Sequence, residues 1–189
     1  LHDVYPDARL VFIVRDGRDA ALSHRFQTFI DATQHMSKED FQIRDAYARD
    51  AGPFSRGERS LFTEKGIRRA AEGWMHNVRT TTQAGQELFG EQFLTLRYED
   101  MLEHPWPELR RVWEFIGADG STAGLEAALA AEMAQNPDAD WQQQKAGDIA
   151  QSMQKGKRGT WRELFTPRDR AVFLDIAGDT LAAWGYEVD

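Results

Sequence analysis

Residues 10–26, LVFIVRDGRDAALSHRF, constrain the fold more than any other stretch of the chain. The continuous apolar run LVFIV predicts a β-strand of the kind that is buried on both faces of a parallel sheet. Asp16-Gly17 predicts a turn, and the apolar positions after it predict a helix running toward Phe29. This order of strand, turn and helix is typical of α/β domains, in which helices pack on a parallel sheet.

Arg15 directly follows the predicted strand and precedes the N-terminus of the predicted helix. Ligands bind at this edge of open α/β sheets, and a helix N-terminus attracts anions through its unpaired N–H groups. A guanidinium adds a planar set of donors that suits an oxyanion. The same residues also fit an ordinary helix start, with Asp16 as the N-cap, an acidic first turn, and Arg15 and Arg18 in solvent. On these residues alone, both interpretations stay open.

The composition bounds the class of protein. A length of 189 residues fits one domain, and 41% hydrophobic with 29% charged residues is typical of a soluble globular protein. The net charge of −8 argues against binding to nucleic acid, which needs a basic surface. The chain has no cysteine and no apolar run as long as a membrane span, and its histidines and carboxylates show no metal-ligand spacing. We therefore expect a cytoplasmic protein without a metal site.

Two segments predict core strands, Leu10–Val14 and Phe93–Tyr98. Two strands are too few to cover the helices of an α/β sheet, so we expect an N-terminal part of the natural domain to precede Leu1. Residues 63–89 predict a helix that Gly90 ends. Its candidate core positions are Ile67, Ala70, Ala71, Trp74, Val78 and Leu88.

Residues 31–62 differ in character from the helical patterns on either side. Their polarity is mixed, and breaks at Gly52-Pro53 and Arg56-Gly57 predict at most short helices. Excursions of this length are usually lids, binding loops or mobile segments.

The C-terminal half predicts three helices and one polar, Gln-rich segment. The helices run from His104-Pro105 to Gly117, over roughly residues 123–134, and onward from Thr166-Pro167, and the polar segment covers residues 137–160. An apolar stripe with i, i+3, i+4, i+7 spacing marks the first helix at Leu109, Val112, Trp113 and Ile116.

Two further segments carry candidate binding residues. Tyr98 ends the second predicted strand, on the same sheet edge as Arg15 if the strands are parallel, where it can stack on a base or be a half-buried strand residue. Residues 155–162, KGKRGTWR, form a basic loop with two glycines in an acidic chain. Glycine lets backbone N–H groups approach an anion closely, although a solvated run of charges is the ordinary alternative.

These three segments, in this order, resemble the sulfotransferase family that uses 3′-phosphoadenylyl sulfate (PAPS). YPDARLVFIVRDGRDAALS resembles the 3′-phosphate-binding strand, turn and helix of that family, and FLTLRYEDMLEHPWPELRRVWEFIG resembles its later strand and helix. KGKRGTW followed by RELFTP resembles its C-terminal glycine-rich loop, and FLDIAGDTLAAWGYE resembles its last helix. The resemblance implies an α/β fold with a P-loop-NTPase-like parallel sheet flanked by helices, here an incomplete three-layer domain over residues 1–189.

The resemblance implies that six residues bind the nucleotide. They are Arg15, Ser23, Tyr98, Lys155, Gly156 and Arg158. The first two, eight residues apart, would bind the 3′-phosphate, the tyrosine would approach the adenine, and the last three would belong to the loop that closes over the same phosphate. Gln154 departs from the pattern, because many members have an arginine there.

The family's loop for the 5′-phosphosulfate, a relative of the P-loop, has no counterpart in this sequence, since no G-x-x-x-x-G-K-[ST] pattern occurs. The catalytic base is likewise unassigned. By resemblance, the chain supplies the 3′-phosphate-binding part of an enzyme that transfers a sulfuryl group from PAPS to a hydroxyl or amine of a small-molecule or glycan acceptor. Residues 31–62 would be a lid or acceptor-side insert, with a disordered loop as the alternative. The sequence identifies neither the acceptor nor the oligomeric state.

Two other functional classes stay open. Another α/β nucleotide-binding transferase, such as a small-molecule kinase, would need a Walker loop and a Mg²⁺-binding carboxylate. A truncated, non-catalytic scaffold domain would need neither and would bind no nucleotide.

Overall fold

The computed structural model describes residues 3–31, 33–118, 131 and 158–188. The chain divides into two compact units. One unit comprises Leu1–Arg15 and Val78–Ala139, and the other comprises Asp16–Asn77 and Asp140–Asp189. The predicted domain boundaries, residues 1–189 with an insert at 31–62, stay a prediction.

The described elements, in chain order, are helices and two short strands. They are β1 (Leu10–Val14), α1 (Gly17–Asp31), α2 (Lys38–Arg49), α3 (Gly52–Ser55), α4 (Glu64–Phe89), β2 (Phe93–Arg97), α5 (Tyr98–Glu103), α6 (Pro105–Ile116), α7 (Trp161–Leu164) and α8 (Pro167–Ala183), with 3₁₀ turns at Thr33–His35 and Gly90–Gln92. The predicted helix at 123–134 lies outside the described residues, apart from Ala131, as do residues 137–157 of the predicted polar segment 137–160.

The first unit contains a parallel sheet of two strands. β1 pairs with β2 in a register that aligns Val14 with Arg97. The rings of Phe12 and Phe93 stack across the strands, 6.3 Å apart, and the Phe93 ring lies against Gly85 of α4, where any Cβ atom would collide with it. A parallel sheet flanked by helices confirms the predicted α/β class.

One face of β1 is more open than its sequence predicts. Ile13 is 46% exposed and Val11 is exposed as well, whereas Val14 is buried. The apolar run therefore has one covered face and one uncovered face within this unit, so the expectation of burial on both faces was wrong for the described residues.

The second strand ends one residue earlier than predicted. β2 stops at Arg97, whose backbone is extended, and Tyr98 is the first residue of α5. Glu99 and Asp100 place negative charge in the first turn of α5, where the helix dipole favours it. This charge favours a helix start at Tyr98.

One apolar position of α4 was assigned wrongly to the core, and the apolar stripe predicted for α6 is not buried. Leu88 of α4 is 52% exposed, because the buried face of that helix continues through Val78 to Phe89 instead. In α6, all of which is described, no residue is buried, and Ile116 at the end of its apolar stripe is 48% exposed. Gly117 ends α6 as predicted, with the left-handed backbone (φ 74°) that glycine adopts readily.

The second unit is helical and has an aromatic core. Rings follow one another at 5.4–6.2 Å between centroids, in edge-on or tilted contacts that suit aromatic pairs. They form two sets, Phe26, Tyr47 and Phe54 in one and Phe62, Phe165, Phe173 and Trp74 in the other. The predicted start of α8 is confirmed, since Thr166 caps the helix and Pro167 is its first residue.

The prediction of at most short helices in residues 31–62 was wrong. α2 has twelve residues and starts with a capping box, in which Ser37 and Asp40 each accept from the backbone N–H of the other. Tyr47 and Phe54 are buried in the aromatic core. This segment is therefore part of the packed structure of its unit.

Candidate functional site

The first turn of α1 is built around a buried ion pair. Asp16 caps the helix, because its Oδ1 accepts from the backbone N–H of Arg18 at 2.9 Å. The Arg18 guanidinium donates to both oxygens of the same carboxylate, at 3.0 Å from Nε and 2.8 Å from Nη2. Arg18 is only 1% exposed. The N-cap is thus confirmed, but the placement of Arg18 in solvent was wrong.

The first residue of α1 has to be a glycine. A Cβ atom on Gly17 would collide with the six-membered part of the Trp74 indole. The close approach of the α1 backbone to Trp74 of α4 therefore fixes a residue without a side chain at this position.

Asp19 ties the start of α1 to the C-terminal loop. Its Oδ2 accepts from the backbone N–H of Gly159 at 2.6 Å, and its Oδ1 accepts from the backbone N–H of Trp161 at 3.0 Å. Asp19 is 1% exposed, and a carboxylate buried to this degree requires such donors. Gly159 has a φ of 73°, a conformation that favours glycine.

Trp161 is the aromatic anchor of this loop. The Arg18 guanidinium carbon lies 3.7 Å from the centroid of its ring, and those of Arg162 and Arg170 lie at 4.8 and 5.4 Å. A cation over an indole face at these distances is attracted by the ring quadrupole. Within the described part of the chain, Nη1 of Arg18 and Nε1 of Trp161 are buried and make no hydrogen bond.

In the first unit, the structure brings two predicted site residues together. The guanidinium carbon of Arg15 lies 5.0 Å from the centroid of the Tyr98 ring, and both residues are half-buried. The parallel register explains this contact, since Arg15 and Tyr98 each follow one member of the aligned pair Val14 and Arg97. The prediction that both lie at one edge of the sheet is confirmed, while their roles toward a nucleotide stay predictions.

The remaining predicted residues belong to the second unit. Ser23 is exposed on α1, and Arg158 is exposed directly before Gly159. Lys155 and Gly156 lie outside the described residues. Of the predicted phosphate loop, the structure thus shows the end that Asp19 holds.

A cavity of about 570 Å³ opens in the second unit between α1, the start of α2 and the first half of α4. Small and aromatic side chains form much of its wall: Ala20, Ala21, Ala70, Gly73, Phe62 and Trp74. Its ionisable lining groups are His24, Arg25, His35, Asp40, Lys65 and Arg69. Four of its lining residues, His35, Ser37, Asp40 and Phe62, come from the segment predicted as a lid or acceptor-side insert.

Asp40 and Arg25 neutralise each other in this wall. Arg25 Nη2 lies 2.7 Å from Asp40 Oδ1, and Arg25 Nε donates to the carbonyl of Leu61 at 2.7 Å. Burial on its own raises the pKa of Asp40, but hydrogen bonds from Ser37 and Arg25, with the charge of Arg25, together outweigh burial and lower that pKa. Asp40 is therefore ionised at neutral pH, and its carboxylate is held by Ser37 and Arg25.

Sequence reasoning missed the roles of Asp19 and Arg18 in joining two distant segments. An acidic residue in the first turn of a helix is ordinary, so nothing near Asp19 distinguishes a loop anchor from a helix-dipole partner. One signal was available for α2, because Ser37-Lys-Glu-Asp40 has the spacing of a capping box.

The part of the chain that the structure describes shows no group of three His, Asp or Glu residues able to hold a metal ion. None of its described helices combines the length and the apolarity needed to cross a bilayer.

Comparison with known proteins gives a family match and a structural likeness. The sequence matches the Sulfotransferase family over residues 1–122. The fold is similar to that of the mouse sulfotransferase SULT7A1, whose crystal structure is complexed with PAP, with a TM-score of 0.53 and 17% sequence identity. The likeness covers 92% of this chain and 58% of the mouse protein, so the chain spans little more than half the length of that relative. No curated protein matches the sequence.

Proposed function

Because this chain belongs to the sulfotransferase family, we propose that it acts in the transfer of a sulfuryl group from PAPS to a hydroxyl or amine of an acceptor. Its own contribution is to bind the 3′-phosphate end of the donor. The mouse relative is complexed with PAP, the nucleotide that remains after the sulfuryl group has left, which supports a donor of this type.

The contact between Asp19 and the C-terminal loop carries this proposal. Two segments that are 140 residues apart, the start of α1 and the loop at Gly159, are joined by a buried carboxylate. The resemblance assigns both segments to one phosphate. An anchor of this kind pre-organises the loop, and pre-organisation lowers the entropy lost when a ligand binds.

Arg15 and Ser23 are the proposed ligands of the 3′-phosphate from the first motif, and Lys155, Gly156 and Arg158 those from the loop. The ring of Tyr98 is the proposed partner of the adenine. The cation–π contact between Arg15 and Tyr98 supports this pair, because it orders the guanidinium fork that would face the nucleotide.

The chemistry proposed for the complete enzyme is an in-line displacement at sulfur, analogous to phosphoryl transfer, in which positioning and charge stabilisation supply most of the catalysis. The 3′-phosphate is remote from the reacting sulfur. Its binding energy would orient the donor, while a general base takes the proton of the acceptor. The cavity beside α2 is the proposed acceptor site, because the 31–62 segment contributes four residues to its wall and its volume suits a small molecule.

The test is binding of adenosine 3′,5′-bisphosphate, measured by calorimetry and by thermal shift. A ligand that binds only the folded chain raises the unfolding temperature. We expect a clear shift with the bisphosphate and a much smaller one with adenosine 5′-phosphate, which lacks the 3′-phosphate. Tight binding of ATP with Mg²⁺ in preference to the bisphosphate would favour a kinase. A folded chain that binds neither nucleotide would favour the scaffold class and overturn the proposal.

A further inference from the structure

The cavity beside α2 has a net positive wall in a chain whose net charge is −8. Its one carboxylate, Asp40, accepts hydrogen bonds from Arg25 and Ser37 and is neutralised by the charge of Arg25. Lys65 and Arg69 remain, and neither forms an ion pair or hydrogen bond with any residue that the structure describes. Counting the histidines as neutral, the lining therefore carries two uncompensated positive charges.

Lys65 and Arg69 are both exposed on α4, so water solvates their charges, and no described residue forms an ion pair with either. Lys65 and Arg69 are four residues apart on α4, so they lie on one face of the helix and repel each other. Both line the cavity, with His24 and His35 also in its wall. An anion bound between these groups would relieve the repulsion and would occupy the donors that the two side chains offer.

We propose that the cavity binds a small organic acid and that its acidic group is held by Lys65 and Arg69. Naming this ligand as the sulfuryl acceptor rests on the function proposed above. The acceptor class is then a hydroxyl- or amine-bearing acid, in preference to a neutral or cationic molecule.

The rest of the wall suits the carbon skeleton of such a ligand. Phe62 and Trp74 offer aromatic surface, and a Cβ atom added to Gly73 would meet only open space. The volume of about 570 Å³ falls within the range of roughly 300–1,000 Å³ that is usual for small-molecule sites. An apolar wall with a few charged groups at one side is the usual composition of these sites.

Three phenols of matched size test the preference for charge: 4-hydroxyphenylacetate is an anion, 4-(2-hydroxyethyl)phenol is neutral, and tyramine is a cation. We expect calorimetry at low salt to show the acid binding about tenfold more tightly than the neutral phenol, with the amine weakest. Salt should narrow this gap, because it screens partly exposed charges. The affinities for glucuronate and glucose give a second comparison of an acid with a neutral molecule, on a sugar skeleton.

The double variant Lys65→Met, Arg69→Met removes both charges and keeps long side chains. It should lower the affinity for the acid to that of the neutral phenol and leave the neutral phenol unchanged. Arg68→Met is the matched control, since Arg68 is exposed on the same helix and does not line the cavity. If neither acid binds better than its neutral partner, or if the preference survives in the double variant, the inference is wrong.

Binding of adenosine 3′,5′-bisphosphate separates this inference from the proposed function. The double variant should bind the bisphosphate as the unaltered chain does, and Arg15→Ala should bind the acid as the unaltered chain does. Acid binding with no bisphosphate binding would leave the cavity inference standing and overturn sulfuryl transfer. Loss of the bisphosphate in the double variant would instead assign the cavity to the nucleotide and overturn the inference.

Discussion

The carboxylate of Asp19 accepts a hydrogen bond from the backbone N–H of Trp161 at 3.0 Å, although 142 residues separate the two in the chain. The neighbouring oxygen accepts from Gly159. Arg18, next to Asp19, lies over the face of the same indole. The first turn of α1 thus fixes both the backbone and the aromatic anchor of the C-terminal loop.

Asp19→Asn should loosen this loop. An amide keeps one acceptor oxygen and turns an NH₂ group toward the second backbone N–H, which is then buried without an acceptor. The free energy of unfolding should fall by about 1–3 kcal/mol, and the affinity for adenosine 3′,5′-bisphosphate should fall with it. Denaturant unfolding and calorimetry measure the two effects. Asp175→Asn, exposed on α8, is the matched control and should change neither.

Arg18→Met should destabilise the fold through Asp16. It leaves that carboxylate buried without its bidentate partner, and breaking a buried ion pair from one side costs about 3–5 kcal/mol. Arg56→Met breaks the exposed pair with Glu58 in the same unit and should leave the denaturation midpoint nearly unchanged. Equal effects of the two variants would contradict the structural role given to Arg18.

Arg15→Ala should weaken the binding of adenosine 3′,5′-bisphosphate by about 2–3 kcal/mol, since it removes a charge-assisted, forked contact to phosphate. Arg15→Lys keeps the charge without the fork, so its affinity for the bisphosphate should lie between those of the unaltered chain and Arg15→Ala. Calorimetry on folded samples gives the affinities, with Arg110→Ala, exposed on α6, as control. An unchanged affinity in Arg15→Ala would remove Arg15 from the proposed site.

Stability should depend on pH through Asp40. Its pKa in the folded chain is lowered, against burial, by hydrogen bonds from Ser37 and Arg25 and by the charge of Arg25. Its contribution is therefore complete above the ordinary aspartate pKa of about 3.9 and is lost as the pH falls through the lower, folded value. Urea unfolding across that acid range should show a difference between the unaltered chain and Asp40→Asn that shrinks as the pH falls. Ser37→Ala, which removes one of these hydrogen bonds, should give an intermediate profile.

The local elements were predictable because their signals are local. The apolar run of β1, the Thr166-Pro167 start of α8 and the glycine that ends α6 each act over a few residues. The position of Arg15 beside Tyr98 also followed from the sequence, once the two strands were taken as parallel.

The tertiary partners of charged residues were not predictable in this way. Arg18 and Asp19 have the sequence context of solvated first-turn residues, and their burial depends on a loop at the far end of the chain. The charged lining of the cavity was not predictable for the same reason. Its wall includes His24 of α1 with Lys65 and Arg69 of α4, which come together only when the two helices pack. Periodicity indicates which face of a helix is apolar. It carries no information about which distant residue contacts a charged side chain on that helix.

The long separation between Asp19 and its loop partners has a consequence for biosynthesis. A ribosome delivers the chain from its N-terminus, so α1 is complete well before Gly159 and Trp161 are translated. Closing a loop of this length also carries an entropy cost that grows with the logarithm of the number of residues. The anchored loop is therefore among the last features to form on the nascent chain, and a ribosome that stalls before residue 159 holds a chain in which the residues of α1 have no C-terminal partner.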